Sequence, residues 1–264
     1  MAKGSESGPT PREQWDDVVA EACDKARSGS EAGTRVSRWG EVSKRVWFGP
    51  ETTRPAGGMY LAQVARPQVP MGFLGSLDTV AGLGAVEGLR TLGVPARLAW
   101  PATIVDGTGR FLGAARCTGG YGEGGVFAVA SMAVNMGEGE CPVPQDGPDP
   151  LTPVSVVDLV GPGGAPAAAD AADTVQSAVR TALDRWERGI AAGQGNAGPL
   201  GPVLGDWFDE MPLMGCGVRV LLPDGRVAAE GTLVGIDGWG RVTVRTDDGR
   251  DLEFSSGQAF LRPR

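Results

Sequence analysis

The stretch RLAWPATIVDGTGRFLG, residues 97–113, sets a tryptophan–proline pair and one arginine, Arg110, in a pattern of strand, tight turn and strand. A guanidinium held beside such a turn can grip a phosphate or a carboxylate through its planar fork. The same residue can equally be a solvated turn arginine. A second cationic group lies in SRWGEVSKRVW, residues 37–47, where Arg38, Lys44 and Arg45 could neutralise an anion or could form an ordinary basic loop. The chain contains no histidine. Ser-His-Asp triads, His-ligated zinc and His general bases are therefore excluded, and any catalysis must use carboxylates, Lys/Arg, backbone amides or the reactivity of a bound nucleotide. Asp16, Asp17 and Glu21 share a helical stretch at a spacing that could suit a metal. An acidic helix start favoured by the helix dipole accounts for them, so no metal site is assigned.

The elements that must position these groups can be read from periodicity. Residues 12–28 place Trp15, Val18, Val19, Ala22 and Ala26 on one helical face, with Gly29 as a stop. Residues 33–58, rich in Arg, Gly and Pro, read as an exposed loop, and MYLAQVA, 59–65, as a strand. A helix follows over 74–93, whose glycines 82, 84 and 88 suggest close packing on a sheet. Strands are expected at 96–100, 111–117 and 126–132, with TGGYGEGG as a flexible hairpin loop between the last two. VSVVDLV reads as a possible strand, ADTVQSAVRTALDRWERGI as an amphipathic helix and GPLGPVLGDWFDEM as a short helix. From Gly215 the period changes to alternation, with Asp-Gly turns at 224, 237 and 248. Short antiparallel strands of this kind roll into a small barrel. The expected organisation is a leader without order over 1–11, an α+β unit over 12–213 and a small β unit over 214–264.

Composition bounds the partners. The 264 residues can bury a substantial core, and a formal net charge of -8 argues against a nucleic-acid face. No apolar run approaches the roughly 18 residues of a membrane span, and the opening residues show no signal peptide. Cys23, Cys117, Cys141 and Cys216 are dispersed, as reduced thiols of a cytoplasmic protein would be.

GVPARLAWPATIV, RFLGAARC, SMAVNM and EGTLVGIDGWGRV occur in that order. On these residues the chain resembles the biotin protein ligases, within the wider biotin/lipoate ligase superfamily. The match is good over 59–136 and 215–262 and weak before residue 59. The resemblance implies a mixed or antiparallel sheet packed with helices, followed by an SH3-like barrel. It also implies a two-step reaction in which the biotin carboxylate attacks the α-phosphate of ATP and a carrier-domain lysine then takes the acyl group. ATP and biotin are the implied ligands and a biotin carboxyl carrier domain the implied partner; Mg²⁺ and a homodimer are compatible with it. Lipoate, octanoate or another small carboxylic acid could stand in for biotin.

Residue by residue, the resemblance puts Arg110 at the position of the family's catalytic lysine and Gly113 against the acyl group. Trp100 becomes a ligand wall or a core aromatic, and Asn135 a contact to the adenylate or a structural turn residue. Trp47 fits the tryptophan after the family's Gly/Arg loop and Arg45 the last arginine of that loop, with Arg38 and Lys44 as remaining cations. The chain also departs from the pattern. Ala102 and Thr103 replace an Asn-Asp pair, Ser131 and Ala133 replace two glycines, and Gly40 is the only glycine left in the anion loop. Two readings stay open: a ligase with a rebuilt, impaired or altered site, and a lapsed relative that binds biotin, another acyl group or a partner protein without adenylation. A structural role through the barrel and sheet edge is a third.

Overall fold

The computed structural model describes residues 10–44, 52–137 and 143–264, with backbone alone at 40–44 and 52–56. The expected leader, except for its last residues, and Cys141 lie outside the described residues. Helix α1, Pro11–Arg27, begins with a capping box in which Thr10 accepts from the Glu13 N–H and the Glu13 carboxylate accepts from the Thr10 N–H. Its buried face is Trp15, Val18, Ala22, Cys23 and Ala26.

Strands β1, Arg35–Lys44, and β2, Thr52–Ala65, follow. The loop expected over 33–58 is therefore largely paired backbone. β1 is an edge strand antiparallel to β2, and an edge tolerates Arg and Gly because only one of its sides must match a neighbour. A 3₁₀ turn, Met71–Ser76, leads into α2, Leu77–Thr91. Next come β3, Ala96–Ala99, and β4, Thr103–Asp106, a short strand that the sequence reading did not separate. β5, Phe111–Gly122, and β6, Gly125–Asn135, run through the expected flexible loop and leave only Glu123 and Gly124 between them. VSVVDLV is not a strand. It contains α3, Val156–Val160, started by a second capping box from Ser155 and Asp158. Helices α4, Ala168–Ala191, and α5, Leu204–Glu210, complete the first unit.

The six strands form one antiparallel sheet in the order β1-β2-β6-β5-β4-β3. Alternation along β2 sends Tyr60, Ala62 and Val64 to the α1 face, and Met59 and Leu61 to the face covered by α2 and α4. The last two helices touch closely. A Cβ at Gly84 would stand 2.6 Å from the Cα of Val179, and one at Gly88 would stand 2.8 Å from the Cα of Val175. These two glycines thus serve helix–helix contact rather than the sheet; Gly82 alone packs toward it, against Leu98.

The second unit has five antiparallel strands: β7, Gly217–Leu221; β8, Val227–Ile236; β9, Val242–Thr246; β10, Asp251–Phe254; and β11, Phe260–Pro263. Their order is β10-β9-β8-β7-β11. No helix among the described residues is long and apolar enough to cross a membrane.

Gly84→Ala tests the α2–α4 contact. The exchange should gain helix propensity yet still destabilise, by about 1–3 kcal/mol, because the new methyl meets backbone that cannot move aside. Urea unfolding followed by circular dichroism measures it.

Candidate functional site

A cavity of about 370 Å³ opens where the two units meet. One wall is the β3–β4 corner, Trp100 to Thr103; a second is β5, with Phe111, Ala115 and Arg116. Asp78, in the first turn of α2, lines it as well, the segment Pro144–Asp146 and Leu151 cover it, and Phe260 and Arg262 of β11 face it from the second unit. The seam is fixed by polar bonds. The Trp100 indole N–H donates to the Gly240 carbonyl at 2.9 Å, Leu200 N–H donates to the Gly238 carbonyl at 2.8 Å, and the Arg262 guanidinium donates to the carbonyls of Pro148 and Asp149.

The residues proposed from the sequence scatter. Trp100 lines the cavity and is 4% exposed, with its polar edge engaged at the seam. Asn135 is fully buried; its amide donates to the carbonyls of Phe111 and Val154 and its oxygen accepts from the Val143 N–H, so it ties β6 to the segment leading to α3. Gly113 lies against β6 so closely that a Cβ would stand 2.2 Å from the Ala133 carbonyl oxygen. Arg38 is exposed and ion-paired to Glu21 at 2.9 Å. Lys44 ends β1 and its side chain is outside the described set; Arg45 and Trp47 lie outside the described residues altogether.

Arg110 does not line the cavity. It closes the β4–β5 turn, Asp106-Gly-Thr-Gly-Arg110, where the Asp106 N–H donates to the Arg110 carbonyl and the Gly109 N–H donates to the Asp106 carbonyl. Its Nε donates to Asp106 Oδ2 at 2.8 Å. The second unit repeats this turn three times, at Leu222–Arg226, Asp237–Arg241 and Thr246–Arg250, with the same pair of backbone bonds each time. In every copy a glycine at positive φ (86°, 86°, 79° and 84° at Gly109, Gly225, Gly240 and Gly249) precedes the arginine. In every copy the arginine Nε reaches an aspartate of its own turn at 2.7–2.8 Å. This is a three-residue hairpin loop with a bulge glycine, in which only glycine takes the left-handed conformation without strain. Burial alone would raise the Asp106 carboxyl, but bonds from the Arg110 backbone, from Thr108 and from the Arg110 side chain hold it below its ordinary value.

Sequence reasoning missed Asp78, Arg116 and Asp146. Arg116 stacks 4.1 Å over the Trp15 ring and binds Asp146 at 2.7 Å, joining α1, β5 and the cavity cover. Among the described residues Asp78 has no cation within ion-pair distance; its Oδ1 accepts from the Thr79 N–H at 2.6 Å, and burial pushes its carboxyl up to about 6. No local motif marks these groups, because their neighbours come from remote segments. Among the described residues, no three His, Cys, Asp or Glu side chains gather to hold a metal ion.

Comparison with known proteins agrees with this architecture. Residues 215–262 match the family model described as Biotin protein ligase C terminal domain. Over 80% of this chain and 80% of the other, the path follows the biotin protein ligase of Aquifex aeolicus solved in complex with biotin and ATP, at 18% identity and a TM-score of 0.58. The fold is that of the biotin protein ligases. A biotin protein ligase-like protein of unknown function from Silicibacter sp. TM1040 aligns over 100% of this chain and 93% of its own, at 19% identity and a TM-score of 0.58. The biotin-ligase resemblance drawn from four motifs thus extends to the whole chain path.

The Asp78 carboxyl gives a pH-dependent expectation. Its folded value, about 6, lies above the ordinary 3.8, so folding favours the protonated form. The associated stability is fully present below about pH 4 and is lost as pH rises through 6. Asp78→Asn should therefore stabilise the protein at pH 7–8, by on the order of 1–3 kcal/mol, with no gain at pH 4. Denaturant titrations at the two pH values decide it.

Proposed function

We propose that this biotin-ligase-fold protein binds a small molecule in the cavity between its two units and does not form an acyl-adenylate. The observation that carries the reading is the Arg110 guanidinium, clamped by Asp106 in a turn that the chain repeats elsewhere and absent from the cavity wall. Adenylation requires preorganised donors aimed at the reacting phosphate. The cation expected for that task is engaged 2.7 Å from a carboxylate that is itself only 2% exposed. Asn135, the second polar group expected at the adenylate, has its amide and its oxygen committed to backbone. Among the described residues, Arg110 and Asn135 as placed do not fit the acid-activating chemistry of biotin and ATP, and neither a carrier domain nor Mg²⁺ is required by this reading. A cytoplasmic setting, expected from the dispersed thiols, is part of it.

The test is pyrophosphate release from ATP and Mg²⁺ in the presence of biotin, lipoate or octanoate. The expected rate is that of a protein-free blank with each acid; turnover with any of them would sink the reading. Arg110→Ala should leave that result unchanged and lower stability by about 1 kcal/mol, the loss of a half-exposed guanidinium that reaches the Asp106 carboxylate through Nε and Nη2. Pyrophosphate release in the wild type that Arg110→Ala abolishes would instead return Arg110 to a catalytic role.

A further inference from the structure

The charges around the seam cavity restrict what it can hold. Among the described residues, four charged side chains line it: Asp78, Arg116, Asp146 and Arg262. Arg116 is held by Asp146 at 2.7 Å and faces Asp16 at 3.8 Å. Arg262 is 8% exposed, with Nε, Nη1 and Nη2 each donating to a backbone carbonyl, those of Asp149, Leu261 and Pro148. Both cations therefore already have acceptors, and Asp146 has its counter-ions in Arg116 and Arg12. Asp78 remains. Among the described residues its carboxylate accepts from the N–H and the hydroxyl of Thr79, neither of which carries charge.

An anionic ligand entering this space would meet a carboxylate that has no counter-ion among the described residues, beside two cations that already hold other acceptors. A cationic ligand would meet the reverse. A carboxylate in a water-poor wall interacts with an opposite charge far more strongly than one in bulk solvent. The wall supplies a further attraction for positive charge, since Trp100 and Phe111 line the same space and aromatic faces attract cations. The volume, about 370 Å³, lies in the range of small-molecule sites.

The geometry points to a small organic amine as the ligand of this cavity: an ammonium group paired with the Asp78 carboxylate, on an apolar or aromatic body lying against Trp100 and Phe111. The inference rests on the reading that the cavity binds without adenylating and names the substrate class of that site. It reverses the charge expected from the ligase resemblance, whose ligand is an acid. No bond is made or broken; the ligand enters as the protonated amine and leaves as such.

Calorimetric titration of the full chain with phenethylamine and octylamine tests it, beside the uncharged 2-phenylethanol and the acid octanoate at equal concentration. The amines should bind at least about tenfold more tightly than the alcohol, a difference of about 1.4 kcal/mol, with octanoate weakest. Asp78→Asn should bring the amines down to the affinity of the alcohol, whereas Asp78→Glu, which keeps the charge, should retain preference for them. Unfolding curves of the variants show whether each is folded. Amines no tighter than their neutral counterparts, or amine binding indifferent to Asp78→Asn in a folded variant, would overturn the inference. Pyrophosphate measured on the same preparation separates the two claims. Release with an acid overturns the non-adenylating reading whatever the amines do, and a silent assay with indifferent amines leaves that reading standing while the amine falls.

Discussion

The indole N–H of Trp100 donates to the carbonyl of Gly240, and this bond sets where the two β units meet. Trp100 follows β3 at the far edge of the large sheet; Gly240 is the bulge glycine of the β8–β9 turn in the small one. Once they are joined, the rest of the seam has little freedom. A Cβ at Gly238 would stand 2.2 Å from the Ala197 carbonyl oxygen, so backbone lies on backbone there, and Arg262 is left facing the carbonyls of Pro148 and Asp149. The cavity is the space that remains between these fixed points. A tryptophan that the ligase resemblance offers as a ligand wall is thus also the strut that holds the wall in place. Its removal would change the shape of the cavity and the docking of the second unit together.

The resemblance and the turn grammar give different accounts of Arg110. Aligned on the Trp-Pro pair, the arginine falls at a lysine that would face an acyl-phosphate. Read as the last residue of Asp-Gly-Thr-Gly-Arg, it falls at a position the chain fills with arginine in three other hairpins, each time with an aspartate of the same turn as its acceptor. The second account needs no ligand to explain the residue. The signal was present in the sequence, since DGTGR and DGWGR differ at one position. Counting Asp-Gly pairs only in the tail concealed it, because the fourth copy lies more than a hundred residues upstream.

Much of the fold was legible because it is locally determined. The faces of α1 and α4, carried by Trp15, Val18 and Ala22 and by Val175, Val179 and Trp186, follow from helical spacing, and the small sheet follows from its turns. What escaped depends on partners remote in sequence. β1 becomes a strand because β2 offers it an edge, despite a composition that reads as loop. The glycines of 118–125 allow two strands to continue where composition suggests a flexible link. α3 is the exception, since Ser155 and Asp158 form a local start signal that the apolar run overshadowed. The cavity was least legible of all. Its walls come from α2, the β3–β4 corner, β5, the 144–151 segment and β11, and no spacing rule connects Asp78 with Phe260.

That assembly also explains how a fold associated with acid activation can present a surface unsuited to acids. Cations that might receive a carboxylate or phosphate are here built into the frame: Arg110 closes a hairpin, Arg116 stacks on Trp15 and holds the cavity cover through Asp146, and Arg262 draws the second unit onto the 148–149 backbone. Arg262 donates from all three of its nitrogens, and Arg110 and Arg116 are each held by an aspartate, so part of what each guanidinium could offer a ligand is already engaged within the frame. Asp78 is in the opposite position. It sits in the first turn of α2, where the helix dipole favours a carboxylate, and among the described residues neither Arg116 nor Arg262, which line the same cavity, pairs with it. Among the described residues the Asp78 charge is thus left without a counter-ion beside an open space, and the sign of that charge selects the ligand.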